Sequence, residues 1–110
     1  MGDNKWFVGR WHINRMEKWS TDAINLVGQA FIEFDEDDMG RFQFIAVTGF
    51  TDCRYSIRDE QPCVEFSWQG HDERDETCGR GWAKIGTDGE LIGHLYIHCG
   101  EDSEFTASKV

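Results

Sequence analysis

Short segments in which apolar and polar residues alternate run through the chain, separated by glycines and by clusters of charged residues. Within Pro62–Gln69, for example, Val64, Phe66 and Trp68 alternate with mostly polar residues. A period of two places the apolar side chains on one face of a β-strand. Segments of this kind, rich in β-branched and aromatic residues, predict strands at Gly9–Arg15, Gly28–Phe34, Gly40–Thr51, Arg54–Ile57, Pro62–Gln69, Cys78–Ile85, Leu91–Cys99 and Phe105–Ser108.

The succession of strands, interrupted by one helical turn, indicates the fold class. The helical turn is expected within Glu17–Leu26, where Ser20, Thr21 and Asp22 offer N-caps. Successive antiparallel strands leave unpaired edges unless the sheet closes on itself or doubles over. We therefore predict a single all-β domain over residues 1–110, a small antiparallel β-barrel of about seven or eight strands. A two-sheet sandwich is the alternative.

The clearest hairpin is expected around Asp88-Gly89, a residue pair typical of two-residue turns. Such a turn sets a register in which Trp82 lies opposite Leu95, and Cys78 lies opposite Cys99. One face of this hairpin then carries Trp82, Leu95, Ile97 and Cys99. The other face carries small residues and polar rings, namely Gly79, Gly81, Ala83, His94, Tyr96 and His98. A slip of one residue would exchange the two faces of one strand relative to the other.

Aromatic residues make up 14% of the 110 residues, with five Trp and eight Phe. We consider Trp11, Phe44, Trp68, Trp82 and Tyr96 as the members of this set that would line a ligand cavity. Ligand pockets are lined mostly by apolar and aromatic side chains with a few placed polar groups. A small barrel also fills its interior with the same side chains. The sequence leaves both arrangements open.

The net charge of -10, from 11 Lys and Arg against 21 Asp and Glu, narrows the choice of partners. Binding to phosphates or to an anionic membrane surface requires basic residues, so we expect neither nucleic acid nor a membrane as a partner. A basic protein, or a small partly apolar ligand, is compatible with this charge. No apolar run reaches the roughly 20 residues of a membrane span, and the first residues lack the apolar stretch of a signal peptide. We expect a cytoplasmic protein with four reduced cysteines.

Gly9-Arg10-Trp11, at the start of the first predicted strand, resembles the Gly-x-Trp motif of the calycin barrels: lipocalins, fatty-acid-binding proteins and avidins. In those barrels the Trp closes one end of an up-and-down barrel, often against an Arg from a late strand. The resemblance implies a calycin-like barrel here, with Arg80 as the counterpart that stacks on Trp11.

A second resemblance covers most of the chain and is to a family of small bacterial hypothetical proteins without an assigned activity. It implies a bacterial cytoplasmic origin and one self-contained domain, and it transfers no catalytic residue. The segments that carry it are Gly9-Arg10-Trp11-His12-Ile13, Gly40-Arg41-Phe42-Gln43-Phe44, Val64-Glu65-Phe66-Ser67-Trp68-Gln69-Gly70, Gly79-Arg80-Gly81-Trp82-Ala83 and Gly100-Glu101-Asp102-Ser103-x-Phe105.

Metal and cofactor chemistry is not favoured by the spacing of the polar residues. The acidic segments 35–38 and 71–76 offer carboxylates for a hard cation, but neither follows the EF-hand spacing. We interpret them as solvated hairpin tips. His94 and His98 share a strand face yet lie roughly 13 Å apart, too far for one zinc ion. We predict no metal ion and no cofactor.

Catalysis is also not favoured. His98 and Cys99 are adjacent and point to opposite faces of a regular strand, and Ser67 lacks a nucleophile elbow. Glu65 lies between apolar neighbours and is expected to face outward. No catalytic residue is therefore assigned, and a small enzyme ranks third among the functions considered.

The function that the sequence favours is a non-catalytic, calycin-like binding module for a small, partly apolar ligand. The residues expected to contact it are Trp11, Phe44, Trp68, Arg80, Trp82, Tyr96 and His98. Arg80 and His98 would be the polar anchors. The alternative is an acidic interaction or inhibitor module for a basic protein, such as a nuclease. Its negative charge is concentrated in Asp35–Asp38, Asp72–Glu76 and Glu101–Glu104 and would steer association.

Overall fold

The computed structural model describes residues 4–110, which form an eight-stranded closed antiparallel barrel. Each strand pairs with its neighbours in sequence, and β8 pairs with β1 to close the sheet. The predicted all-β barrel is thus confirmed, rather than the two-sheet sandwich. The elements are β1 (Gly9–Met16), α1 (Thr21–Ile24), β2 (Phe31–Phe34), β3 (Met39–Phe44), β4 (Val47–Arg58), β5 (Gln61–Asp72), β6 (Asp75–Ile85), β7 (Leu91–Ile97) and β8 (Asp102–Lys109).

The predicted strand Gly40–Thr51 is wrong, because the chain turns at Ile45 between β3 and β4. Ile45 has a φ of 54°, a left-handed conformation that is costly for a β-branched residue. Its backbone N–H donates to the carbonyl oxygen of Ile24 at 2.9 Å, and its side chain packs against the core. A contact from the distant helical turn therefore holds a turn that the local sequence does not indicate.

The register predicted for the β6–β7 hairpin is wrong by one residue. The loop has three residues, with Gly89 at a φ of 84°, and Gly86 and Glu90 close it through an N–H···O bond of 2.8 Å. A three-residue loop with glycine in the left-handed position is a standard hairpin connection. Trp82 consequently pairs with His94 instead of Leu95, and its side chain lies outside the barrel.

Aromatic side chains fill the barrel interior, and several lie directly opposite a glycine on the neighbouring strand. The cross-strand pairs are Phe42–Gly49, Phe66–Gly81, Trp68–Gly79 and Phe105–Gly93. A Cβ added at Gly81 would come within 2.6 Å of the Phe66 ring, and one added at Gly93 within 2.6 Å of the Phe105 ring. Each ring thus occupies the space that a side chain on the opposite strand would need.

One end of the barrel is closed by Phe7, which is fully buried. The indole N–H of Trp11 donates to the Phe7 carbonyl oxygen at 2.9 Å. The cation over Trp11 is Lys109, whose Nζ lies 4.8 Å from the ring centroid and donates to the Val8 carbonyl oxygen at 2.6 Å. The expectation that Arg80 stacks on Trp11 is wrong, because Arg80 points outward from β6 and β8 supplies the neighbouring cation.

The opposite end is covered by the segment that contains α1, and the helical turn expected within Glu17–Leu26 is confirmed. The Ser20 hydroxyl caps the turn by accepting from the Ala23 N–H at 3.2 Å. Ile24 is fully buried, and the Trp19 ring packs 5.4 Å from the ring of Phe44. A single helical turn is stable here because its apolar side chains are buried against the barrel.

Candidate functional site

Three of the residues predicted to contact a ligand lie in the filled interior. Trp11, Phe44 and Trp68 retain 2%, 1% and 3% of their accessible surface. The Trp68 indole N–H donates to the Tyr96 carbonyl oxygen at 3.1 Å, so its polar atom is satisfied within the protein. Side chains that line a cavity of ligand size would keep more accessible surface than this. Of the two arrangements that the sequence left open, the geometry at these residues is that of a packed core.

Arg80, Trp82 and Tyr96 come together on the outside of the barrel. They line a groove of about 350 Å³ across β5, β6 and β7, which we call the outer groove. Its wall on the opposite side includes Cys63 and Glu65. Arg58 also lines it, from the end of β4 that extends past its pairing with β3.

Three stacked rings, Trp82, His94 and Tyr96, lie on this side of the barrel, and we call them the outer aromatic row. Trp82 and Tyr96 line the groove. The Trp82 and His94 rings are 6.5 Å apart with an interplanar angle of 23°, and the His94 and Tyr96 rings are 4.5 Å apart at 27°. The guanidinium carbon of Arg80 lies 4.8 Å from the Tyr96 ring centroid. Cross-strand pairing of Trp82 with His94 and of Arg80 with Tyr96 produces this order.

His94 is held in place from β8. Its Nε2 lies 2.6 Å from the Asp102 Oδ2, and its side chain is only 17% exposed. The hydrogen bond from His94 holds the pKa of the Asp102 carboxyl below its ordinary value. A ring fixed by a carboxylate on one side and by two aromatic rings on its faces has little rotamer freedom, so the row is preorganised.

Most arginines of β1 to β5 are neutralised by a neighbouring carboxylate. Arg10 and Arg41 both bond to Glu33, at 2.8 and 3.3 Å, and together they lower the pKa of that carboxyl. In the outer groove, Arg58 bonds to Glu65 at 2.6 Å. Within residues 4–110, Arg80 forms no salt bridge and no side-chain hydrogen bond, so its N–H groups face solvent.

His98 lies outside the outer groove. It is exposed in the β7–β8 turn and lines a separate depression of about 490 Å³ with Cys78 and Cys99. Arg80 and Tyr96 border both depressions. The predicted pairing of Cys78 with Cys99 is wrong, because the Cys78 carbonyl oxygen accepts from the His98 N–H at 2.7 Å.

The remaining cysteines and the acidic segments form no second candidate site among the described residues. Burial raises the pKa of the Cys53 thiol, which packs in the core. Among the described residues, no group of three or more His, Cys, Asp or Glu side chains is arranged to hold a metal ion. Residues 35–38 and 73–74 lie in hairpin turns between β2 and β3 and between β5 and β6.

Sequence reasoning missed His94, Arg58 and Cys63 as parts of this region. His94 would have been found by testing a three-residue loop at Thr87–Gly89, since that register places it opposite Trp82. Arg58 and Cys63 carry no comparable local signal. They lie where β4 and β5 stay paired beyond the end of β3.

The comparisons add no relative to this geometry: no protein-family model, no curated protein and no solved structure matches the chain. In the part of the chain that the structure describes, none of the helical segments has the length and apolar character needed to cross a membrane.

Proposed function

We propose that this protein is a non-catalytic binding module for a small, partly apolar ligand, and that the ligand binds in the outer groove. One observation carries the proposal. Arg80, Trp82 and Tyr96, three of the residues expected to contact a ligand, line an accessible groove of about 350 Å³, whereas Trp11, Phe44 and Trp68 are packed in the core.

The composition of the groove supports small-molecule binding. Trp82 is 38% exposed although the barrel offers buried positions for other large aromatic side chains. Ligand sites combine apolar surface with a few polar groups that fix orientation, and the guanidinium of Arg80 and the carboxylate of Glu65 are such groups here. The stacked, hydrogen-bonded row behind Trp82 limits the entropy lost on binding.

The same groove argues for binding rather than catalysis. Glu65, Arg80 and Tyr96 converge there, while His98 does not. Glu65 is more than half exposed and is bonded to Arg58. A general acid or base works best where water is excluded, and this carboxylate is exposed to solvent and paired with a cation.

A fragment screen by two-dimensional amide NMR tests the proposal. We expect partly apolar fragments to shift the amide signals of Cys63–Glu65, Arg80–Ala83 and Tyr96 in the full chain. Trp82→Val, which introduces a β-branched residue favourable in a strand, should abolish these shifts. Phe50→Val is the matched control, because Phe50 is 51% exposed on β4 and does not line the groove. Hits that map elsewhere, or that survive Trp82→Val, would contradict the proposal.

A second candidate function, an acidic module for a basic protein, is supported by the placement of two acidic segments. Asp72–Glu76 and Glu101–Glu104 lie at the same end of the barrel, at the β5–β6 and β7–β8 turns. Their fields add there and would steer a basic partner. Calorimetric titration with basic proteins at low and high salt tests this candidate. A heat of binding that stays the same at high salt would argue against this candidate. The absence of any heat of binding at low salt would also argue against it.

A further inference from the structure

We propose that the outer groove selects planar aromatic molecules that carry a single negative charge, such as aromatic carboxylates. This inference rests on the proposed function and names the chemical class of its ligand. It is argued from the free face of Trp82, from the uncompensated charge of Arg80 and from the volume of the groove.

Trp82 offers one ring face to a ligand. Its cross-strand neighbours are Glu65 on β5 and His94 on β7. The ring stacks against His94, yet Trp82 remains 38% exposed and lines the groove, so part of its ring is accessible to a ligand. Aromatic rings prefer offset-stacked or edge-to-face partners, and each such pair contributes about 0.5–1.5 kcal/mol beyond burial. A flat ring system therefore fits this face better than an aliphatic chain.

Arg80 supplies the charge selectivity. The charged residues that line the groove are Arg58, Glu65 and Arg80, and the salt bridge between the first two cancels their charges. Arg80 stays uncompensated, and its stacking on Tyr96 leaves the edge of the guanidinium free. That edge presents paired N–H donors that match the two oxygens of a carboxylate. The groove thus has a positive site within a protein of net charge -10.

The rest of the protein restricts the ligand to a single negative charge and to a small size. Asp102 and Glu104 on β8 pair with Tyr96 and His94 and flank the outer aromatic row. Their field, added to the overall charge, repels a ligand with several negative charges, such as a nucleoside triphosphate. A volume of about 350 Å³ lies at the lower end of the range for ligand pockets, which suits one or two fused rings.

Three probes of matched size separate the contributions of ring and charge: 1-naphthoate, its neutral analogue 1-naphthalenemethanol, and the non-aromatic bicyclic anion decahydronaphthalene-1-carboxylate. Each is titrated into the full chain at constant salt and followed by the amide signals of β5, β6 and β7. We expect 1-naphthoate to bind about ten-fold more tightly than either of the other two probes. The neutral alcohol lacks the charge-assisted contact with Arg80, and the non-aromatic anion lacks the stacking on Trp82.

Two charge variants test the role of Arg80. Arg80→Gln should weaken 1-naphthoate about ten-fold and leave 1-naphthalenemethanol unchanged. Arg15→Gln is the matched control, because Arg15 is exposed on β1, away from the groove, and its replacement changes the net charge equally. An Arg15→Gln variant that weakens 1-naphthoate as much would mean that only the overall charge matters, and would overturn the inference.

The inference and the proposed function fail in distinguishable ways. If 1-naphthalenemethanol binds as tightly as 1-naphthoate and Trp82→Val abolishes both, the groove is a ligand site but the charge class is wrong. If no probe and no screened fragment shifts the groove signals of the wild-type protein, the proposed function fails as well. Tight 1-naphthoate binding that needs both Trp82 and Arg80 supports both proposals.

Discussion

The barrel uses its aromatic side chains in two ways, and the difference lies in what each ring faces across the strand. Inside, Phe42 and Phe105 lie opposite Gly49 and Gly93, so each ring takes the volume of two positions. Outside, Trp82 lies opposite His94, and rings stack on rings without a glycine between them. The interior pairs fill space, whereas the outer aromatic row keeps a ring face accessible. Accessibility, more than aromatic content, separates the candidate site from the core.

The largest expected effect comes from removing an interior ring. Phe42→Ala should lower the free energy of unfolding by about 4 kcal/mol, because the glycine opposite cannot fill the cavity. Phe50→Ala on the outer face of β4 should lower it by less than about 1 kcal/mol. Urea unfolding measures both values. Similar losses for the two variants would contradict the distinction between filled interior and open exterior.

Adding a side chain opposite an interior ring should lower the free energy of unfolding by somewhat less than removing the ring. In Gly93→Ala the new Cβ would lie 2.6 Å from the Phe105 ring and 2.5 Å from the Trp82 carbonyl oxygen, so the strands must shift. We expect a loss of about 2 kcal/mol in unfolding free energy. Gly28→Ala is the control, since a Cβ there meets nothing within 4 Å and no loss is expected. Equal stability of the two variants would show that the interior has spare room.

Removing the ring of Trp82 on the outside of the barrel should lower the free energy of unfolding by still less. Trp82→Val should lower the free energy of unfolding by about 1 kcal/mol, since the lost stacking on His94 is a surface cross-strand interaction. The same urea experiment applies. A loss as large as that of Phe42→Ala would mean that Trp82 is a structural residue, and would remove it as a free ligand platform.

The smallest effect concerns the hydrogen bond that fixes the row. The Asp102 pKa is depressed in the folded protein, chiefly by His94. Its contribution to stability is therefore present above the ordinary carboxyl pKa and is lost as the pH falls through the depressed value. In a carboxyl ¹³C titration by NMR, His94→Ala should raise the Asp102 pKa toward its ordinary value. An unchanged midpoint would show that His94 does not hold this carboxylate.

The strands and the closed barrel could be predicted because period-two alternation directly reports which face is buried. The register of β6 and β7 could not, since Asp88-Gly89 suits a two-residue turn as well as a three-residue loop with Gly89 in the left-handed position. The difference of one residue in register places Trp82 beside His94 on the outside of the barrel, and not beside Leu95 as expected. The turn at Ile45 was equally hidden, because a hydrogen bond to Ile24 holds it.

The candidate site could be predicted only in part, because its position also depends on the register of β6 and β7. Arg80, Trp82 and Tyr96 were expected to contact a ligand, and they do meet in one groove, but on the outside of the barrel. Residue type indicated these side chains correctly as candidates. Their meeting point depended on the register, and the contribution of Arg58 depended on how far β4 extends.

The order of the strands has a consequence for how the protein folds. Seven of the eight strand pairings join neighbours in sequence, and six of these form as hairpins with short loops, whereas the pairing of β1 with β8 joins Trp11 to Lys109. Closing a loop of that length carries an entropic cost that short hairpins do not pay. We expect β1 and β8 to join last, so that weakening their contact speeds unfolding while leaving the folding rate nearly unchanged. The pairing of β1 with β8, and not the aromatic interior, would then set the unfolding rate and so the lifetime of the folded barrel.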